Sequence, residues 1–296
     1  DMPAILGYKL PAANVGKVDN RGIDLNITHR NHLRDFNYSV AGNLTWARNK
    51  VIDLLEPAGE KNNPRQRSTG HSMSQYFGYE ALGLFQSDEE ANNWPQPQFG
   101  KAKAGDIKYK DQNGDGIIDA EDKIAIGRSN YPELVYGLNL NAEWKGFYAG
   151  IFFQGAGNTS TVLGTGADAT FFPFQWGIEE SAVRSVVADR WTEQNPSQNV
   201  MFPRMHSNNF QNNTAASTWW LRDAGFLRLK NIELGYNFDK KLLKKLNIEA
   251  LRFYVQGNNL YVWDRIKMWD PEQGNNNGGF PYPLNRTFTF GLDFTF

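Results

Sequence analysis

The closing ten residues, Thr287 to Phe296, alternate without a break. Phe288, Phe290, Leu292, Phe294 and Phe296 share one parity, and Thr287, Thr289, Gly291, Asp293 and Thr295 share the other. Side chains on a strand point to opposite faces with period two. One face of this segment is therefore wholly apolar, and the other is polar or bare. A soluble sheet rarely carries such a strand to a terminal aromatic. A membrane barrel requires the pattern, because its outer surface meets lipid and its lumen is wet.

The alternation recurs upstream. In Gly22 to Arg30, Ile23, Leu25 and Ile27 oppose Asp24, Asn26 and Thr28. In Phe36 to Ala47, Phe36, Tyr38, Val40, Leu44 and Trp46 oppose Asn37, Ser39, Ala41, Asn43 and Thr45. In Leu134 to Lys145, Leu134, Tyr136, Leu138, Leu140 and Trp144 oppose Gly137, Asn139, Asn141, Glu143 and Lys145. Aromatics at both ends of such segments suit an interfacial girdle. Leu251 to Trp263 puts Leu251, Phe253, Val255, Tyr261 and Trp263 on one face. Phe226 to Phe238 changes parity between Leu229 and Ile232, which predicts a bulge near Lys230. Phe147 to Gln154 is apolar on both faces, and Tyr76 to Phe85 is a strand candidate with no decisive parity.

Composition excludes several classes. Lys plus Arg is 31 and Asp plus Glu is 32 in 296 residues, for a net charge of −1. That balance argues against a nucleic-acid binder. Cysteine is absent, so there is no disulfide framework and no thiolate metal site. No apolar run reaches the roughly 18 residues of a membrane helix. Barrel strands give only a weak signal of about ten residues each, so a mean hydropathy of −0.58 is compatible with a barrel. No leader pattern opens the chain, and Asp1 reads as the continuation of something longer.

The connections come in two sizes. Lys145-Gly146 and His32 to Asp35 are very short, and Asp239 to Glu249 is a compact basic turn. The segments 155–224 and 264–286 are long and rich in Asn, Gly, Gln and Trp. Short periplasmic turns and longer external loops are the barrel arrangement. An even number of strands is then required between Ala47 and Leu134, with Tyr76 to Phe85 and Gly105 to Lys110 as candidates. Within 155–224, the spacing of Ala182, Val183, Val186, Val187 and Trp191 predicts a helix over Glu179 to Trp191.

Residues 111–122 read DQNGDGIIDAED. Counted as a twelve-residue cation loop, Asp111, Asn113, Asp115, Asp119 and Asp122 fall at positions 1, 3, 5, 9 and 12. Gly116 falls at the sharp turn, and Ile117 offers its carbonyl. Calcium takes about six to eight oxygens on such a turned backbone. Asp rather than Glu at the last position is closer to the dockerin variant of the EF-hand loop, and Asp reaches less far. The expectation is a structural Ca2+ or Mg2+ pinning a loop, weighed against an ordinary acidic turn.

Other constellations carry less. His29, His32, His71 and His206 have no metal-ligand spacing and read as surface or turn residues. Gly155-Ala156-Gly157 and Gly278-Gly279 lack the strand–loop–helix context of a phosphate loop. Glu179-Glu180 and Asp88-Glu89-Glu90 read as solvated faces rather than a glycosidase dyad. The loop tryptophans Trp94, Trp176, Trp219 and Trp220 are weak candidates for stacking on a substrate, since most loop tryptophans pack structurally. No catalytic residue is identified, and a non-enzyme is expected.

A set of residues in order resembles the C-terminal part of the SusC/RagA family of TonB-dependent outer-membrane transporters. It begins with Asn14-Val15-Gly16-Lys17-Val18 and Gly22-Ile23-Asp24-Leu25, then Gly105-Asp106-Ile107-Lys108-Tyr109 running into the 111–122 loop. It continues through Tyr136-Gly137, Phe153-Gln154-Gly155, Asp189-Arg190-Trp191-Thr192 and Leu221-Arg222-Asp223-Ala224. Phe226 to Asn231, Gln256-Gly257-Asn258-Asn259-Leu260, Trp269-Asp270-Pro271-Glu272 and the closing strand complete it. That strand also resembles the C-terminal signal by which bacterial outer-membrane barrels are recognised for insertion.

The resemblance implies an all-β fold: the C-terminal strands of an antiparallel transmembrane β-barrel of the roughly 22-stranded, plugged class. Residues 1–296 would be wall and external loops, with no plug domain among them. About eight strands cannot close such a wall, so the rest of the barrel and the plug, in the same or another chain, are implied partners. Further implied partners are a SusD-type surface lipoprotein lid, the TonB complex acting through the plug, and outer-membrane lipid. The implied activity is import of oligosaccharides or peptides. The competing reading is a soluble, calcium-stabilised carbohydrate-binding β-domain, which predicts strands buried on both faces where sheets stack.

Overall fold

Seven long antiparallel strands, hydrogen-bonded strictly in chain order, form a single open sheet. They are β1 (Lys17–Leu33), β2 (Phe36–Asp53), β3 (Leu134–Trp144), β4 (Phe147–Gly157), β5 (Phe226–Asn237), β6 (Ala250–Asp264) and β7 (Thr287–Thr295). The computed structural model describes residues 16–54, 56, 63, 65–164, 171–174, 183–244, 247–273 and 282–296.

Register carries each strand's parity across the whole sheet. Leu33, Phe36, Trp144, Phe147, Tyr236, Phe253 and Leu292 lie in one row. His29, Val40, Leu140, Ile151, Ile232, Gly257 and Phe288 lie in a parallel row on the same face. This face is apolar and open: Ile23 is 65% exposed, Leu234 55% and Phe290 72%. A soluble sandwich would cover it with a second sheet, and among the described residues none packs there. The carbohydrate-binding β-domain reading therefore gives way to a lipid-facing wall. His29 is a polar exception on this face, with its Nε2 3.2 Å from the Tyr38 hydroxyl.

The bulge is where the parity change places it. Phe152 pairs with Asn231 and Phe153 with Leu229, leaving Lys230 as the extra residue of β5 against β4. Leu227 and Leu229 above it and Ile232 and Leu234 below it consequently share the oily face.

The three connections at one end are short. Leu33 pairs directly with Phe36. Lys145 and Gly146, at φ 48° and 89°, make a two-residue hairpin turn of the left-handed kind that suits strand twist. Asp239 to Glu249 holds one short helix, α1 (Lys240–Lys244). All long excursions, 54–133, 158–225 and 265–286, leave from the other end.

The excursions contain the core. Most buried apolar residues, including Tyr79, Ile107, Tyr109, Ile126, Val162, Phe202 and Trp220, belong to them, whereas the wall contributes Val51, Ala156 and Phe226. Short ladders frame this body: Tyr76–Gly78 with Ile124–Ile126, Ala81–Leu84 with Ile107–Tyr109, and Ser160–Val162 with Leu221–Asp223. Tyr76 to Phe85 and Gly105 to Lys110 are thus parts of an outer body rather than wall strands. Tyr76 to Phe85 lacks clean parity because its strands are only three and four residues long and mix buried Leu84 and Phe85 with exposed Leu82. β2 pairs directly with β3, so no described strand between Ala47 and Leu134 joins the wall, which has seven strands among the described residues.

The helix expected over Glu179 to Trp191 is not what forms in its described part, the first four residues lying outside the described set. Ser185–Ala188 makes a single 3-10 turn, after which Arg190 bridges Phe202. Trp191 N–H donates to the Phe202 carbonyl at 2.9 Å. Strand-like pairing of Trp191, which is buried against Gly105, overrides the helical spacing.

Candidate functional site

The polar face of the sheet is concave. It forms a trough of about 1110 Å³ lined by Arg30, Asn141, Tyr148, Glu233, Arg252 and Gln256, among others. These residues occupy the parity opposite to the oily rows, so the wall's amphipathicity places them. Tyr148 donates its hydroxyl proton to Glu233 Oε1 at 2.8 Å. Arg252 Nε donates to Asp293 Oδ2 at 2.7 Å, with its guanidinium 4.7 Å from the centre of the Tyr254 ring. In one row Tyr148, Gly235, Tyr254 and Gly291 alternate across four strands. Each tyrosine ring lies over the glycine on the next strand, in the space a Cβ would need. The trough offers both charge signs and many hydrogen-bonding groups.

At the mouth of the trough, the third excursion is tied to the wall. Arg228, 2% exposed, projects from the polar face of β5. Its Nη2 lies 2.6 Å from Asp270 and 2.9 Å from Glu272. Gln154 Nε2 donates to Glu272 Oε1 at 3.2 Å. The neighbouring Trp269 sets its ring edge-on to Phe171 of the outer core, 5.8 Å between centres. One short stretch, Trp269 to Glu272, therefore joins the barrel wall to the loop body. In the sequence these residues stand only as family markers, with no role evident from their spacing. An Arg at a polar-face position and two acids flanking Pro271 were the available signal.

Within the loop body, Asp106 is fully buried. It accepts from Lys103 N–H at 2.8 Å and Asn213 Nδ2 at 2.8 Å, and lies 2.7 Å from His206 Nε2. His206, expected at a surface or turn, is instead part of this internal network. Tyr109 donates to the Asn212 carbonyl at 2.7 Å, and burial raises its hydroxyl pKa. Tyr79 is pushed up to about 12 by burial, with Asp119 and Asp122 adding to the effect.

The ring N–H groups of Trp94, Trp219 and Trp220 all donate to backbone carbonyls. Trp220 is 0% exposed, its ring N–H on the Asn213 carbonyl at 2.9 Å and its faces against Phe171, Phe172 and Phe202. A side chain so enclosed cannot stack on a ligand, which corrects the expectation for Trp220. Trp219 is partly buried and donates to the Met201 carbonyl at 3.1 Å, lining a cleft with Leu82, Gly83 and Arg222. Trp94 donates to the Tyr109 carbonyl at 2.7 Å and carries Lys108 Nζ 3.9 Å from its ring centre. Trp176 lies outside the described residues.

The 111–122 loop is turned as its glycines suggest, with Gly114 and Gly116 at φ 77° and 84°. Asp111 accepts from the N–H groups of Gly114 at 2.6 Å and Gly116 at 2.9 Å. These bonds outweigh desolvation and hold its carboxyl below the usual range. Asn113 and Asp115 fold over the same turn, with Asn113 Nδ2 2.8 Å from Asp115 Oδ2. The other half is used differently. Asp119 caps Glu121 N–H at 2.8 Å. Asp122, fully buried, accepts from Gln112 N–H at 2.7 Å and Asp119 N–H at 2.9 Å. Ile117–Ile118 pairs with Gln96–Pro97. Asp111, Asn113 and Asp115 fit a hard cation by donor type. Asp122 serves as an internal cap, and among the described residues no three acidic or histidine side chains converge on one metal position.

No protein-family model matches the chain. Over its whole length it is 28% identical to the TonB-dependent receptor P26 of Formosa agariphila, covering 31% of that protein. It is 28% identical to the TonB-dependent receptor P3 of the same organism, covering 30% of it. With 96% of the chain aligned, it is 24% identical to the TonB-dependent receptor SusC of Bacteroides thetaiotaomicron, of which it covers 27%. Among solved structures, the RagAB peptide transporter matches with a TM-score of 0.72 at 23% identity, over 100% of this chain and 31% of that one. The RagAB peptide importer in its open-open state matches with a TM-score of 0.73. The chain thus spans under a third of the length of the curated relatives it matches. These relatives are named as receptors and transporters rather than enzymes.

Proposed function

We propose that this chain, which resembles TonB-dependent receptors of the outer membrane from end to end, supplies wall and external loops to an importer of oligosaccharides or peptides. The observation that carries the reading is the division of the chain. The sheet has an oily outside and a polar trough, and all of its long connections are gathered at one end into a single packed body. Cargo would pass along the polar face, and the loop body would meet it first under a SusD-type lipoprotein lid. The remaining wall and a plug would close the pore, and the TonB complex would act on that plug.

Only groups that bind and orient are needed for this role. The trough presents amide, hydroxyl and paired charged groups that can replace water around a polar polymer. The test is uptake by cells producing the whole receptor. Fluorescently labelled oligosaccharides and peptides should enter only when TonB is functional, and removal of the 158–225 loop should abolish entry with the barrel still inserted. Uptake that is indifferent to TonB would overturn the proposal, and the cargo that enters would decide between the two classes.

We also carry a structural Ca2+ at the 111–122 loop as a proposal, supported by the positions of Asp111, Asn113 and Asp115 and by the turn at Gly116. Mg2+ is the lesser fit, because it demands a more regular oxygen shell. Limited proteolysis of the loop with and without chelator checks it. Equal cleavage rates in both conditions would remove the ion from the account.

A further inference from the structure

The oily face of the wall is unevenly filled. One step inside the girdle row, Tyr38, Ala142, Ala149, Leu234 and Val255 lie side by side. Two consecutive members are alanines, while the adjoining row carries Trp144, Phe147 and Tyr236. The result is a slot of about 600 Å³ floored by Ala142 and Ala149. It is about two strand spacings wide, on the order of 10 Å. Trp144 and Phe147 project beside it, both more than half exposed. A flat partner surface would be held off by those rings, whereas a single alkyl chain can lie between them.

Charge at the open end of the slot selects the ligand. The hairpin turn Lys145-Gly146 follows Trp144 directly, and Lys145 Nζ lies 5.4 Å from the Trp144 ring centre. Asn237 N–H donates to the Gly146 carbonyl at 2.8 Å, which brings the segment leading to α1 beside that turn. Lys145, Lys240, Lys241 and Lys244 are exposed there, and Arg34 stands in the adjoining turn. The acids here are fewer than the cations: Asp35 lies 3.5 Å from Lys145, Asp239 caps Lys241 N–H at 2.7 Å, Glu249 closes the same turn, and Glu143 has the parity of the polar face. A surplus of cations thus sits just beyond the aromatic girdle, where lipid headgroups lie.

We propose that this slot binds one anionic glycerophospholipid of the periplasmic leaflet, with an acyl chain over Ala142 and Ala149 and the phosphate against Lys145. The inference rests on the barrel reading and assigns it a defined lipid site. Lipopolysaccharide is not the occupant, because the outer leaflet lies at the opposite end of the strands. Alkyl burial supplies the attraction and the lysines supply the headgroup preference.

The test uses the whole receptor, delipidated in nonionic detergent and titrated with palmitoyl-oleoyl phosphatidylglycerol or phosphatidylcholine under native mass spectrometry. One phosphatidylglycerol should bind more tightly than the rest, preferred over phosphatidylcholine by about fivefold, the scale of one near-surface lysine. Ala149→Leu fills the slot and should weaken this event by about tenfold or more. Ala142→Ile is the second variant, should the first not fold. Lys145→Asn keeps a residue that tolerates φ 48° and should erase the headgroup preference while leaving weaker binding. Unchanged phosphatidylglycerol binding in both slot-filling variants would overturn the proposal, as would equal affinity for the two lipids. A change of oligomer mass with lipid binding intact would give the slot to a second copy of the receptor and also overturn it. Folding in plain buffer without detergent would instead sink the barrel reading itself.

Discussion

Gly235 and Gly291 are bare because Tyr148 and Tyr254 lie across them. A side chain at Gly235 must displace an aromatic ring that is itself hydrogen-bonded to Glu233. Gly235→Val should cost about 1–3 kcal/mol, the usual scale of overpacking. The unfolding midpoint in urea, with the barrel in detergent micelles, reads this. Asp122 is a second sensitive residue. Asp122→Ala would strand the N–H groups of Gln112 and Asp119, at about 1–3 kcal/mol for each that finds no water. Hydrogen exchange of residues 111–122 should accelerate whether or not calcium is present. The wall residues were legible in the sequence because period-two parity needs no knowledge of partners. Trp220 was not, because a loop aromatic has the same signature in a core as in a binding site. Arg228 and Asp270 were equally hidden, since they lie 42 positions apart and only the return of the third excursion brings them together.

Among elements, the stretch Trp269 to Glu272 has the clearest consequence. Arg228→Met would leave Asp270 and Glu272 without their buried cation. Breaking such a pair from one side typically costs about 3–5 kcal/mol. Residues 265–273 should lose exchange protection, while β5 and β6 keep theirs. The ladder Ala81–Leu84 with Ile107–Tyr109 responds to acid instead. Glu80, hydrogen-bonded by Gln112 and Lys110, and Glu90, hydrogen-bonded by Lys108 and Gln86, are both held below their ordinary 4.5. Their contribution is present above that value and is lost as pH falls through the lower folded ones. The loop body should be as protease-resistant at about pH 5 as at about pH 7, and should open only below about pH 4. The sequence marked Tyr76 to Phe85 and Gly105 to Lys110 as strands but not their place in the loop body, because strands of two to four residues are too short for alternation to assign a face.

Taken as a whole molecule, the chain divides its physics in two. Its wall depends on lipid to cover the oily face and on neighbouring wall to satisfy the outer edges of β1 and β7. Its loop body depends on burial in water, as any soluble domain does. The bulge, the turns and the grouping of long connections could all be inferred beforehand. How segments from three separate excursions would interlock could not, because contacts between distant segments leave no local periodicity.

That interlocking sets a timetable for biogenesis. Tyr79, Val162, Trp220 and Trp269 enter one cluster from all three excursions. In the proposed orientation, none of these segments can settle fully until all three have been delivered to the cell exterior. Under that proposal, completion of the loop body reports that β1 to β6 have been threaded in order, and a wall stalled midway would display an unfinished, protease-sensitive crown.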